Sequence, residues 1–118
     1  MIKKISRGML VLLMVSLSST TILAQSETAR VAVDEGYPPY MYGTQQNAKG
    51  LYPKQIKAIF LRIGVEVDVQ ALPWKRALKL GEEGKAAVGG IYKNKKRSET
   101  YDYSQPIFEE TIAIYVRK

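Results

Sequence analysis

The chain contains no cysteine and no histidine. The first absence excludes disulfides, thiolate metal sites and thiol nucleophiles. The second excludes imidazole ligands and every histidine-assisted serine or cysteine nucleophile. Carboxylates do not fill the gap. Glu82–Glu83 and Glu109–Glu110 are adjacent pairs, and neighbours diverge on a helix and oppose one another on a strand, so neither pair makes an acid–base dyad. Neither enzymatic activity nor a metal or other cofactor is expected. Tryptophan occurs once and phenylalanine twice, against eight tyrosines. The aromatic surface of this chain is therefore mostly amphipathic tyrosine, which packs with its ring and bonds with its hydroxyl.

Long apolar runs are scarce as well. The strongest, within residues 9–17, is too short for a bilayer-spanning helix, which needs roughly 20 residues. Its surroundings give it another reading. "MIKKISR" carries three basic residues and no acid, an apolar stretch follows, and "LAQS" supplies small residues. That is the layout of a secretory signal peptide over residues 1–26, with cleavage after Ala24 or after Ser26. Residues 27–118 then form one domain. The leader removes three basic residues, so the net charge falls from +7 to +4. Such a modest excess does not suggest a nucleic-acid partner. Without disulfides, the exported domain must be held by core packing alone.

The remainder alternates. "RVAV" (30–33) predicts a short buried strand. "DEGYPPYMYG" (34–43) predicts a rigid loop, neither helix nor regular strand, because Pro38 and Pro39 fix their own φ and bias Gly36 and Tyr37 toward extended geometry. "GTQQNAKG" (43–50) is polar and turn-rich. "LYPKQIKAIFLRIG" (51–64) predicts a helix whose stripe is Ile56, Ile59, Phe60 and Ile63, with Pro53 in the first turn and Gly64 at the end. "VEVDVQ" (65–70) alternates as a half-buried strand, and a second helix follows Pro73. "AAVGGI" (86–91) predicts a strand covered on both faces, "YKNKKRSET" (92–100) a basic loop or helical turn, and "TIAIYV" (111–116) a last buried strand. Strand–helix alternation of this kind implies an α/β fold with parallel pairs.

Ligands in open α/β sheets bind beyond the carboxyl ends of the strands. The segments leaving those ends hold Asp34, Glu35, Tyr37 and Tyr40, then Trp74 and Arg76, then Gly89, Gly90, Tyr92 and Arg97. An arginine fork suits a carboxylate, an aspartate suits a cation, aromatic faces suit an aliphatic or cationic side chain, and adjacent glycines admit close approach to the backbone. The set fits a small zwitterion such as an amino acid. A plain packing role remains open for Tyr37, Tyr40 and Trp74, and Lys93, Lys95 and Lys96 fit a solvated loop.

In order and spacing, "DEGYPPY", "GLYPKQI", "PWKRAL", "GGIYKNKKR" and "YDYSQPIF" resemble the family 3 extracytoplasmic solute-binding proteins of bacterial ABC importers, the polar amino-acid group. The resemblance spans most of residues 30–117. It implies a periplasmic, type II periplasmic-binding-protein-like lobe, a three-layer αβα arrangement with a mostly parallel sheet and an incomplete second lobe. It implies that Arg97 pairs with a ligand α-carboxylate, that backbone groups at Gly90 and Tyr92 hydrogen-bond, that Asp34 meets a polar ligand side chain and that Tyr37 and Trp74 pack on the ligand. A membrane permease would be the partner. Several positions depart from the family pattern. Gly89, Gly90 and Tyr92 stand where serine or threonine is frequent, Ala86 where aspartate is, and Asn94 where threonine is. Family members have two lobes, whereas this chain ends near the first crossover toward the second. A sensory ligand-binding domain and a truncated product without function are the alternatives.

Overall fold

A computed structural model describes residues 27–118; the expected signal peptide at 1–26 lies outside the described residues. The central element is β1 (Ala29–Asp34), flanked by β5 (Val67–Leu72) and β6 (Ala87–Val88) in a three-stranded parallel sheet of order β5-β1-β6. Ala29 lies opposite Val67 and Asp34 opposite Leu72, while Val31 and Ala32 pair with Ala87 and Val88. β1 sits in the middle because both of its faces are apolar. Val31 and Val33 join Val69 and Ala71 under helix α1 (Leu51–Arg62), whose Tyr52 and Ile56 close that cluster. On the other face, Ala32 and Leu72 pack on Ala77 of helix α2 (Trp74–Glu82). The result is helix, sheet, helix. Leu72 and Val33 are almost wholly buried, and each such side chain contributes about 1.5–3 kcal/mol.

Helix α1 ends as the glycine predicted, but its buried stripe differs from the expected one. The Gly64 N–H donates to the Leu61 carbonyl at 3.2 Å and the Val65 N–H to the Phe60 carbonyl at 3.1 Å, with Gly64 at φ +70°. This is a Schellman cap, and only a residue tolerant of positive φ closes it without strain. Tyr52, Pro53 and Ile56 are buried and Phe60 partly so, whereas Ile59 and Ile63 are 45% and 65% exposed. The single i, i+4 row Tyr52–Ile56–Phe60 packs on the cluster that Val31, Val33, Met41, Ala48, Val69 and Ala71 form beneath it. The cap also explains why the expected 65–70 strand begins at Val67. Val65 is used in the turn and is exposed.

Three further expectations are corrected. The stretch 34–50 is not a plain loop. It forms β2 (Gly36–Tyr37), β3 (Met41–Thr44) and β4 (Asn47–Lys49), an antiparallel sheet of order β2-β3-β4, with Pro38 and Pro39 in the first turn. Gly36 and Tyr37 are extended, Tyr37 as the following Pro38 favours, and their ladder partner is β3. Only Met41 and Ala48 of this sheet are buried, so its apolar alternation is too sparse to read. The strand expected at 86–91 pairs only at Ala87–Val88, because Gly90 turns the chain at φ +72°. The strand expected at 111–116 does not form. Ile112, Ile114 and Val116 are 81–89% exposed, and the segment pairs with none of the described strands.

Candidate functional site

The carboxyl ends of β1, β5 and β6 bring most of the expected site residues to one rim. Asp34 ends β1 opposite Leu72, and the Glu35 N–H donates to the Leu72 carbonyl at 3.0 Å. Trp74, two residues beyond Leu72, opens α2. Its ring lies under Arg97, with the guanidinium carbon 6.0 Å from the ring centroid. Arg97 is positioned twice more. A short helix, α3 (Lys95–Ser98), holds its backbone, and Asn94 caps that helix by accepting the Arg97 N–H at 2.8 Å. One guanidinium N–H then donates to the Tyr92 carbonyl at 3.0 Å. The other donors of the fork have no protein partner among the described residues, which leaves Arg97 able to grip a carboxylate.

Tyr92 links this cationic corner to the tyrosine loop. Tyr37 stacks on Tyr40 at 5.2 Å, Tyr40 tilts against Tyr52 at 5.5 Å, and Tyr52 against Phe108 at 5.4 Å. The Tyr52 and Tyr92 hydroxyls both donate to the Glu110 carboxylate, the Tyr52 bond measuring 2.5 Å. Burial, followed by the Glu110 carboxylate, pushes the Tyr52 phenol up to about 12. The Glu110 hydrogen bond is the main cause that raises Tyr92, with Tyr37 adding to it. The same two hydroxyls hold Glu110 below the usual carboxylate range. Hydrogen bonds donated to an anion favour the anion and hold the donor's proton in place, so the Glu110 bonds contribute to all three shifts, and burial adds to those of the two tyrosines.

Arg97 is connected to the first aromatic loop by a chain of contacts through Tyr92, Glu110, Tyr52 and Tyr40. Gly90 lies under that chain, so closely packed that a Cβ there would stand 2.7 Å from Cδ2 of Tyr52 and 2.9 Å from Sδ of Met41. Asp34 is less available than expected, since its Oδ1 accepts the Gly36 N–H at 3.0 Å and closes a local turn. Lys93 lies over the Tyr103 ring, whose hydroxyl donates to the same Tyr92 carbonyl that Arg97 uses. Sequence reasoning missed Tyr52, Phe108 and Glu110. Tyr52 was within reach, being one i+4 step before Ile56. Glu110 carries no local signal, because its partners are 58 and 18 residues away.

A groove of about 890 Å³ also runs beside β6, walled by that strand and the extended 100–109 segment. It touches the rim at Tyr52, Gly90 and Tyr92 but includes neither Arg97, Trp74, Asp34 nor Tyr37. It lies on the outer edge of β6, which pairs with no strand among the described residues. The rim holds the convergent charged and aromatic groups, and the candidate site is placed there rather than in the groove.

The family model of the bacterial extracellular solute-binding proteins, family 3, matches residues 29–118. The chain belongs to that family. Among solved structures, three show the same fold. One is a second substrate-binding domain from Streptococcus pneumoniae, assigned to an amino acid ABC transporter (21% identity, TM-score 0.60). Another is an ancestral arginine-binding protein bound to glutamine (24%, 0.59), and the third an ancestral cationic amino acid solute-binding protein (24%, 0.55). These alignments cover 69%, 70% and 67% of this chain, but only 38%, 38% and 36% of theirs. No curated protein matches the chain. The fold of this family 3 member is α/β, a partial periplasmic-binding-protein-like domain of type II built on a parallel sheet.

Proposed function

We propose that residues 27–118 form one lobe of an extracytoplasmic receptor that captures a small zwitterion of the amino-acid type, without catalysis, for a membrane importer. Residues 1–26 would be the leader that exports it to the periplasm, and a permease would take the ligand from the closed receptor. The observation that carries this reading is the Arg97 fork, over the Trp74 ring and tied to the Tyr92 carbonyl beyond the carboxyl ends of the parallel strands. In this reading Arg97 holds the ligand carboxylate, backbone groups at Gly90 and Tyr92 add hydrogen bonds, Tyr37 and Trp74 cover the ligand's apolar part, and Asp34 meets its polar end. Capture by two-lobed receptors draws its affinity from closure. A single lobe desolvates one side of the ligand and binds on the order of millimolar, since the cost of association is offset by few contacts.

The test is a titration of the protein with a panel of L-amino acids, followed through its tyrosine and tryptophan NMR signals. Weak, saturable shifts at the rim that vanish in Arg97→Ala are the expected result. Micromolar binding by this chain as a monomer, or undiminished binding by Arg97→Ala, would sink the reading.

A further inference from the structure

The segment 111–116 has the side chains of a strand but no partner. Ile112, Ile114, Tyr115 and Val116 are exposed, and no backbone group of 109–118 bonds to the backbone of another described residue. A row of unpaired N–H and C=O groups beside β-branched and aromatic side chains is a template for another strand. The base of the segment is already held. The Phe108 ring packs on Tyr52, and the Tyr52 and Tyr92 hydroxyls donate to Glu110. A strand rooted on its own domain loses less freedom on pairing than a free tail would.

The order of the residues says what the partner is. "EETIAIYVR" (109–117) has Glu109 at one end, Arg117 at the other and Ala113 at its centre. Laid antiparallel to a second copy with Ala113 opposite Ala113, Glu109 of each copy faces Arg117 of the other, and Thr111 faces Tyr115. Those pairs share one side of the ribbon, since residues directly opposite lie on the same side and neighbours along a strand alternate. On the other side Ile112 of each copy faces Ile114 of the other, so the isoleucines of both copies meet as one apolar block. Opposite charges, a β-branched residue against an aromatic one and β-branched residues against each other are the cross-strand neighbours that stabilise a sheet. Neither Glu109 nor Arg117 has an ion-pair partner among the described residues. Such a contact is two-fold and self-complementary, the isologous form of most dimers. We propose that residues 109–117 pair antiparallel with the same residues of a second copy, making the protein a dimer. The pairing does not rest on Arg97 as a ligand anchor. One strand pair is a small contact, below the roughly 1,200 Å² that marks weak, transient interfaces, so the dimer dissociates on the order of tens of micromolar.

The experiment produces the full chain and follows its self-association by sedimentation equilibrium on either side of that concentration. Monomer below it and dimer above it are expected. Glu109→Arg and Arg117→Glu, each alone, set like charges opposite one another twice and should weaken the dimer roughly tenfold. The variant carrying both restores opposite charges and should return to within about threefold of the native protein. The absence of cysteine gives a second readout. Ala113→Cys sets the introduced thiols opposite each other at a Cα separation of about 4.5–5.5 Å, and mild oxidation should link two copies. Thr111→Cys, exposed like Ala113 and on the same side of the strand, sets them too far apart and should stay unlinked. All four positions are exposed, so the core is untouched. A protein that stays monomeric, its strand left to further chain or to an unrelated protein, overturns the proposal. So does a dimer that the double charge exchange fails to recover, or one in which Thr111→Cys links as readily as Ala113→Cys, because the contact then lies elsewhere. Assemblies that keep growing past two copies overturn it as well, being edge pairing without closure.

Discussion

Gly90→Ala tests whether the rim is packed as tightly as its geometry requires. Two costs act there. The residue sits at φ +72°, where an L side chain is disfavoured by about 1–2 kcal/mol. The added Cβ would also stand 2.7 Å from Tyr52 Cδ2, 2.9 Å from Met41 Sδ and 3.0 Å from Met41 Cε. Tyr52 and Met41 are both about 5% exposed and have little room to yield, so overpacking adds about 1–3 kcal/mol. Gly64→Ala supplies the control, because Gly64 has φ +70° but nothing within 4 Å of its would-be Cβ. It should cost only the backbone part. Urea unfolding of both variants, at unchanged slope, should therefore place Gly90→Ala about 1–3 kcal/mol below Gly64→Ala. Small domains have stabilities near the low end of about 5–15 kcal/mol, so the difference is a large share of the total. If the two variants melt together, Tyr52 and Met41 do not close over Gly90, and the platform beneath the rim is wrong.

Other outcomes follow from the same contacts. Ile56→Ala should cost about 2–5 kcal/mol and Ile63→Ala under about 0.5 kcal/mol, because the first is buried and the second mostly exposed; equal losses by urea denaturation would restore the wider helix stripe. Asn94→Ala should weaken α3 by about 1 kcal/mol and speed amide exchange at Arg97, whose N–H it exposes, leaving the core amides unchanged. In an alkaline titration followed by phenolate absorbance, Tyr52 should ionise near pH 12, above the value of about 10 for a free phenol. Its folded value lies above the unfolded one. The stability it confers is therefore complete below pH 10 and is lost as pH rises toward about 12. Glu110→Gln should move both Tyr52 and Tyr92 back toward ordinary ionisation, and an unchanged titration would remove the hydrogen-bonded triad.

Local chemistry was legible wherever a residue's own geometry decides the outcome. Gly64 ends a helix because a positive φ is needed there, Pro53 sits in a first turn because no donor is needed there, and Pro38 biases the preceding Tyr37 toward extended geometry. The buried strand at "RVAV", both helices and the parallel arrangement were readable from periodicity and order. The stripe of α1 was not, since Ile59 and Phe60 are equally apolar and only the placement of the strands beneath decides which is covered. The antiparallel β2-β3-β4 sheet was invisible for a similar reason, as two buried residues carry no period.

By itself, the sequence determined the alternation of strands and helices, the absence of thiol and imidazole chemistry, and the presence near strand ends of an arginine, an aspartate and aromatic rings. Each of these is set by residue type and by neighbours a few positions away. Only the tertiary structure decided that "TIAIYV" lies uncovered, that Asp34 serves a turn, and that Glu110 reaches the rim to meet Tyr52 and Tyr92. Those outcomes depend on contacts between residues far apart in the chain, where burial and hydrogen bonding act through space and leave no local trace.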